Sequence, residues 1–206
     1  MSTFINFIKW AQEKLDTIRE QLDFIGPLLL RLYLVPVFWV AANNKWNPFD
    51  NDSSLENTIA WFEHSLELPL PALNAYLAWS AEYFGAILLA LGLATRWISI
   101  PLMVTMIVAA TTVHIGNGWQ AVHDPMSPYA AVYADEAVER LDAAREILKE
   151  HGDYEWLTEY GSFVISNNGI EWAATYFVLI LALFFLGGGK YISLDYWIAK
   201  KYKTDV

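Results

Sequence analysis

Four ionisable residues lie in or beside long apolar stretches of the chain: Arg31, Glu82, His114 and Glu171. A charged side chain is costly inside a membrane, so such residues normally face a partner or a polar cavity. They are the candidate catalytic residues, and the chemistry that such groups support is the holding or relaying of a proton. We expect Glu82, His114 and Glu171 to line one polar pocket in the outer half of a helical bundle, with Arg31 beneath it.

Arg31 and Glu82 are also candidates for an ion pair. Arg31 is seven residues from the inner end of the first apolar stretch, roughly 10 Å deep at the helical rise of about 1.5 Å per residue. Glu82 has a similar depth from the opposite face, and the gap left in a core of about 30 Å is within reach of an extended arginine. A structural interpretation stays open. The pair would then only fix helix register, His114 would be a polar anchor, and Glu171 would favour a helix N-terminus.

Aromatic residues and one lysine lie on the same helix faces. Phe38 and Lys45 share the side of Arg31 if the first helix continues beyond Ala42. Small residues beside Glu82 on the second helix let helices approach closely, so Glu82 is expected on a packed face. The rings would supply flat apolar walls for a ligand. The candidate cofactor-binding residues are Phe38, Lys45, Trp79 and Tyr83.

Four segments are apolar enough to position these groups as membrane-spanning helices, which need about 20 residues each. The expected fold is therefore all-α, an integral membrane four-helix bundle in a single domain over residues 1–206. The predicted spans are about 24–42, 75–94, 97–115 and 170–188.

The connections between these spans differ in length and composition. Spans two and three are joined only by Thr95 and Arg96, whereas the outer segments 43–74 and 116–169 are long and acidic. Helical spacing of apolar residues predicts an amphipathic helix over 135–150, a helical periplasmic insertion between spans three and four. Apolar stripes at both ends of the chain predict interfacial helices over 1–23 and 190–206.

Composition excludes several classes of function. The chain is 55% hydrophobic with a net charge of −10 and contains no cysteine. Iron–sulfur clusters and thiolate chemistry are therefore excluded, and the acidic balance argues against nucleic acid as a partner. Neither haem nor flavin is indicated, because only one histidine lies in a predicted span and no flavin motif is present. His114 and His123 form no recognised ligand motif, so no metal site is predicted, although a turn could bring them together.

The distribution of Lys and Arg predicts the orientation in the membrane. Eight of them lie at the termini and at Arg96, against four in the much longer acidic segments. Because positive residues favour the cytoplasmic side, we expect both termini in the cytoplasm of a bacterial cell and the acidic segments outside its inner membrane.

Several of these motifs together resemble the DoxX/DoxD family of four-helix membrane proteins. That family has an arginine early in helix one, a lysine after it, an acidic residue and glycines in helix two, and a glycine-rich terminal motif. The 54-residue outer segment and Asn43–Asn44 depart from the usual family pattern and resemble a longer-loop branch. The matching residues here are Arg31, Lys45, Glu82, Gly85, Gly92, Thr95, Arg96, Gly187, Gly189, Ser193 and Asp195.

The resemblance implies quinone-linked redox work, as in the membrane subunit of thiosulfate:quinone oxidoreductase. On this hypothesis a quinone would lie in the outer half of the bundle, with Arg31 and Glu82 making its polar contacts or relaying a proton. His114 and Glu171 would exchange protons with the outside. The chain would be a subunit of a membrane quinone oxidoreductase and would need a periplasmic or membrane protein partner, with a homo-oligomer also possible. The alternative is a non-enzymatic membrane anchor or assembly partner for a periplasmic protein, a metal-binding peptide or a stress-response complex.

Overall fold

The computed structural model describes residues 2–202, and the regular secondary structure of this range is helical. The described residues contain no β-strand, only one isolated antiparallel bridge between Val122 and Ser166, so the all-α prediction is confirmed. The α-helices are α1 (Ser2–Leu22), α2 (Ile25–Lys45), α3 (Glu56–His64), α4 (Pro71–Leu91), α5 (Thr95–Ala109), α6 (Ala134–His151), α7 (Tyr154–Leu157), α8 (Glu171–Leu186) and α9 (Leu194–Tyr202). A π-helical turn, Ala110–His114, and a 3-10 turn, Ile115–Asn117, extend α5.

Two of these helical segments are long and apolar enough to cross a membrane, Ile25–Lys45 and Thr95–Asn117. Only 28% and 17% of their apolar windows are buried inside the protein, whereas the core helix of a soluble protein would be mostly buried. Of the other two predicted spans, α4 has 21 residues but a more polar first half. Helix α8 is strongly apolar yet has 16 residues.

The helix boundaries follow local signals at each end. Helix α2 continues past the predicted end at residue 42 through Asn43 and Asn44 to Lys45. Helix α4 begins four residues earlier than predicted because Pro71 occupies its first turn, where a proline is favourable. It ends at Leu91 because Gly92 adopts a left-handed conformation with φ +60°, a common helix stop.

The chain forms two compact units, one that runs to Thr105 and resumes at Val178, and a second over Met106–Phe177. In the first unit, α2 packs against α4, and Gly85 of α4 lies so close to α5 that an added Cβ would be 2.9 Å from Leu102 Cδ2. The buried apolar side chains there include Leu34, Phe38, Ala86, Leu89, Leu102, Ile180 and Leu183.

The second unit contains α6, α7 and the loops around them. Helix α6 (Ala134–His151) confirms the helix predicted over 135–150. At the chain ends, α1 and α9 confirm helices within the predicted segments 1–23 and 190–206. Residue 1 and residues 203–206, which the two predicted terminal segments include, lie outside the described residues.

Candidate functional site

The ion pair at the contact of α2 and α4 joins Lys45 to Glu82. The Nζ of Lys45 donates to Glu82 Oε2 over 2.7 Å. The Glu82 side chain is 4% exposed and that of Lys45 is 22% exposed, so the pair is largely shielded but accessible from the lysine side. Lys45 Nζ also donates to the carbonyl of Ala41 over 3.4 Å.

The predicted pair of Arg31 with Glu82 was therefore wrong. Helices α2 and α4 run antiparallel, and Arg31 lies opposite the C-terminal end of α4, where its Nη1 donates to Leu89 O. Glu82 is seven residues before Leu89, about 10 Å further along the helix. The side chain of Lys45, at the opposite end of α2, points back along the helix toward its N-terminus and reaches Glu82 instead.

Arg31 is held in a second polar cluster, at the other end of these helices. Its guanidinium is 1% exposed, and it donates to the carbonyl oxygens of Leu89, over 3.3 Å, and of Ile192. Gly92 is pressed against it, because a Cβ there would overlap Arg31 Nη1 and lie 2.6 Å from Ser193 Cβ. Arg31 therefore ties the end of α4 to the segment that leads into α9.

Asp195 completes this cluster with a negative charge. Its carboxylate accepts hydrogen bonds from the backbone N–H groups of Ala94, over 2.6 Å, and Thr95, over 2.9 Å. These are N–H groups at the start of α5, which otherwise lack helical partners. Ser193 Oγ caps α9 by accepting from Tyr196 N over 3.2 Å. The cluster is built from structural capping contacts, so it fits a positioning role better than a ligand site.

The predicted aromatic walls form a stack beside the Lys45–Glu82 pair. Trp79 and Tyr83 are stacked with ring centroids 5.0 Å apart, and Trp39 stacks on Tyr83 at 5.4 Å. Trp46 contacts Trp79 at 4.5 Å, and its carbonyl accepts from Trp79 Nε1 over 2.8 Å. Phe38, by contrast, is 0% exposed and is part of the apolar core, so it offers no ring face to a ligand in this conformation.

Two open clefts flank the C-terminal end of α2. The larger has a volume of about 460 Å³, and the smaller, of about 300 Å³, lies beside Trp39 and Phe49. Lys45 belongs to the larger cleft, which also includes Trp61 of α3, a ring that is 42% exposed. The larger cleft is lined by Ala41, Asn44, Lys45, Asn57, Thr58 and Trp61.

Trp61, Asn44 and Asn57 line the cleft but were not predicted as site residues. The signal for them was partly present, since Ala41, Asn44 and Lys45 fall on one helical face once α2 is extended to Lys45. The position of Trp61 depends on α3, whose first turns are fixed to α2 by a hydrogen bond from Thr58 Oγ1 to Lys45 O over 3.2 Å.

His114 and Glu171 belong to the second unit, where each makes an anchoring contact. His114 Nδ1 is 2.9 Å from the carbonyl oxygen of Asn168, and Glu171 Oε2 accepts from the backbone N–H of Ala121 over 2.9 Å. These contacts favour the structural interpretation of both residues. The ring of His123 instead packs edge-on against Tyr133, and within residues 2–202 no group of three or more potential ligand side chains could hold a metal ion.

The contact between segments 117–121 and 167–171 explains why these residues are anchors. Asn167 Nδ2 donates to the carbonyls of Asn117 and Gln120, both over 2.7 Å. Gly169 approaches so closely that an added Cβ would lie 2.6 Å from Trp119 O and 2.7 Å from Gly118 O. Hydrogen bonds to backbone carbonyl oxygens thus hold the two segments together, and the side chains of His114 and Glu171 make their contacts at the edges of this region.

Comparison with known proteins identifies the segment that contains the Lys45–Glu82 pair. Residues 26–115 match the model of the DoxX family, and this range contains α2 to α5. No curated protein and no solved structure matches the chain. Arg31, Lys45, Glu82 and Gly92 all lie within the matched segment, so the part of the chain that contains both polar clusters is similar to the DoxX family.

Proposed function

We propose that this chain is a quinone-linked redox subunit that crosses the bacterial inner membrane four times, through α2, α4, α5 and α8. The match of residues 26–115 to the DoxX family and the two apolar candidate spans support the membrane location. In this proposal both termini are cytoplasmic, and the acidic segments 43–74 and 116–169 face outward.

The observation that carries the proposal is the Lys45–Glu82 pair beside the larger cleft. Intramembrane charges are expensive, and those that persist usually mark a functional site. An ammonium has three N–H donors, and the described residues account for two on Lys45, those to Glu82 and Ala41. The third is free for an oxygen atom of a ligand that enters the cleft.

The residues of the cleft suit a flat ligand that carries carbonyl oxygens. Trp61 offers a partly exposed ring, and the amides of Asn44 and Asn57 are further hydrogen-bond donors beside it. A quinone, when bound, supplies the capacity to take up two electrons and two protons, with the electrons coming from an oxidoreductase partner. Lys45 would orient a carbonyl oxygen and offer a proton to it, and Glu82 would balance the charge on the lysine.

This proposal changes the roles predicted from sequence. Lys45 and Glu82 hold the ligand and the proton, with Trp61 as the wall of the cleft. Arg31 becomes a positioning residue, since its guanidinium is committed to the ends of α4 and of the segment before α9.

Bound small molecules test the proposal. The protein would be purified in mild detergent, and extracted quinone would be measured by mass spectrometry per mole of protein for wild type, Glu82→Gln and Lys45→Met. Glu63→Gln is the matched control, because Glu63 is an exposed carboxylate on α3 in the same unit. We expect wild type and control to retain quinone and both site variants to lose most of it. Equal quinone in all four proteins, or none in wild type, would refute the proposal.

A second candidate function, that of a docking protein, is favoured by the outer face of α6. Five carboxylates recur there at helical spacing, and all five residues are exposed. Like charges three or four residues apart destabilise a helix, and a basic partner that binds along the stripe would relieve this repulsion. The described structure gives an ion pair to neither Asp135, Glu139 nor Glu146. The stripe consists of Asp135, Glu139, Asp142, Glu146 and Glu150.

Cross-linking distinguishes this candidate. A carbodiimide reagent couples carboxylates to lysine amines at zero length, and mass spectrometry identifies the joined residues. The docking function predicts links from the stripe carboxylates to lysines of one partner. It also predicts that the links from Asp135, Asp142 and Glu150, whose carboxylates are unchanged, are lost in the double variant Glu139→Lys, Glu146→Lys. The control reverses two charges in α7 and just after it, Glu155→Lys with Glu159→Lys. Links that survive in the stripe variant but disappear in the control would exclude the stripe as the docking surface.

A further inference from the structure

The N-terminal helix α1 carries a continuous apolar stripe that the described structure leaves uncovered. At about 100° per residue, seven apolar side chains fall within an arc of about 100°. Their large members are widely exposed, for example Phe4 at 68%, Leu15 at 61% and Ile18 at 53%. The stripe consists of Phe4, Phe7, Ile8, Ala11, Leu15, Ile18 and Leu22.

Two of the three basic residues of α1 border this stripe. Lys14 and Arg19 each lie about 70° from its centre at the helical repeat. Lys9 lies on the opposite side of the helix together with Glu13, Asp16 and Glu20. Long basic side chains at the border of an apolar face can extend their charges to lipid phosphates while their methylene groups remain in the apolar layer.

The connection to α2 restricts where this stripe can lie. Only Asp23 and Phe24 separate α1 from α2, and α2 is a candidate membrane span. Asp23 also accepts a hydrogen bond from Lys190, just beyond the C-terminal end of α8, which raises the pKa of that lysine. Helix α1 is thus fixed beside the point where α2 would enter the bilayer.

We propose that α1 is an in-plane membrane helix, buried by its apolar stripe at the level of the lipid headgroups, beside the first span. The three basic and three acidic residues of α1 balance, so attachment rests on burial of the apolar stripe and not on attraction to anionic lipid. The occupant of the stripe is the lipid surface itself. This holds whether or not the chain binds a quinone.

Site-directed spin labelling tests the proposal directly, since the chain has no cysteine and each introduced one is unique. Labels would be placed at Ile8→Cys and Leu15→Cys in the stripe and at Glu13→Cys and Glu20→Cys on the opposite face. Glu139→Cys on α6 is the reference for a water-exposed helix. The intact protein would be reconstituted in vesicles of phosphatidylcholine, alone or mixed equally with phosphatidylglycerol.

The measurement is the accessibility of each label to oxygen, which partitions into lipid, relative to a water-soluble nickel chelate. We expect this ratio to be several-fold higher at Ile8 and Leu15 than at Glu13 and Glu20, in both kinds of vesicle and at high salt. Stripe labels as water-accessible as the α6 reference would overturn the proposal. So would stripe labels shielded from both reagents, as in a protein contact, or label–label broadening that indicates a second copy of α1.

Discussion

Replacement of Gly92 by alanine is the perturbation for which the structure gives the sharpest expectation. Gly92 adopts φ +60°, and an L-residue in this conformation costs about 1–2 kcal/mol. The added Cβ would also overlap Arg31 Nη1 and displace a guanidinium that is 1% exposed. Loss of one hydrogen bond from a charged group costs about 1.5–3 kcal/mol.

Together these two effects predict that Gly92→Ala lowers the free energy of unfolding by about 2.5–5 kcal/mol. The assay is equilibrium unfolding in mixed detergent micelles, followed by far-ultraviolet circular dichroism. Gly26→Ala is the matched control, because nothing lies within 4 Å of a Cβ at Gly26 and alanine is favoured over glycine in a helix by about 0.5–1 kcal/mol. If Gly92→Ala were no less stable than Gly26→Ala, the close packing of Arg31 against this turn would be refuted.

Three further predictions concern the ion pairs and caps. Lys45→Met leaves the buried Glu82 unpaired and should lower the free energy of unfolding by about 3–5 kcal/mol, whereas Lys45→Met combined with Glu82→Gln should recover part of this loss. An additive double-mutant cycle would contradict the pairing. Asp195→Asn should cost about 1–2 kcal/mol, because it weakens the N-cap of α5; unfolding midpoints measure this, and an unchanged midpoint would speak against the cap. The pKa of Lys190 is raised by its bond to Asp23, so its contribution is fully present below the ordinary lysine pKa and is lost as pH rises through the raised value. The stability difference between wild type and Asp23→Asn should therefore be constant at neutral pH and disappear in alkali, and a difference that instead grew with pH would contradict this.

Helix positions could be predicted from the sequence, because they depend on patterns that are local in the chain. The stripe of α1, from Phe4 to Leu22, and the spacing of apolar residues in α6 each gave a helix that the structure confirms. The cap at Ser193 is local in the same sense, because this residue directly precedes α9 and its Oγ accepts from the N–H group of Tyr196 in the first turn.

Pairing between helices could not be predicted in the same way. The expectation for Arg31 and Glu82 used depths measured from assumed span ends, and α2 runs three residues beyond its assumed end. That extension brings Lys45 onto the helix and within reach of Glu82. Arg31 instead donates to the backbone carbonyl oxygens of Leu89 and Ile192. Every residue has such a carbonyl, so the sequence does not indicate which one a buried arginine will contact.

Burial of the aromatic residues also depended on tertiary contacts. Phe38 and Trp79 are similar apolar rings by sequence, yet Phe38 lies in the core and Trp79 stacks beside the Lys45–Glu82 pair. The difference arises from the packing of α2 against α4 and of α3 against α4. Trp61 likewise lines the larger cleft because α3 packs against α4.

Photoaffinity labelling with an azido-quinone tests the central claim, that the cleft beside Lys45 holds the ligand. Membranes that contain the intact protein would be illuminated with the probe, with and without excess unlabelled quinone, and the modified peptides identified by mass spectrometry. If a quinone binds in this cleft, residues between Ala41 and Trp61 should be labelled, excess unlabelled quinone should prevent this labelling, and Lys45→Met should abolish it. Competable labelling around Arg31 or in the second unit, or none that quinone competes for, would contradict it.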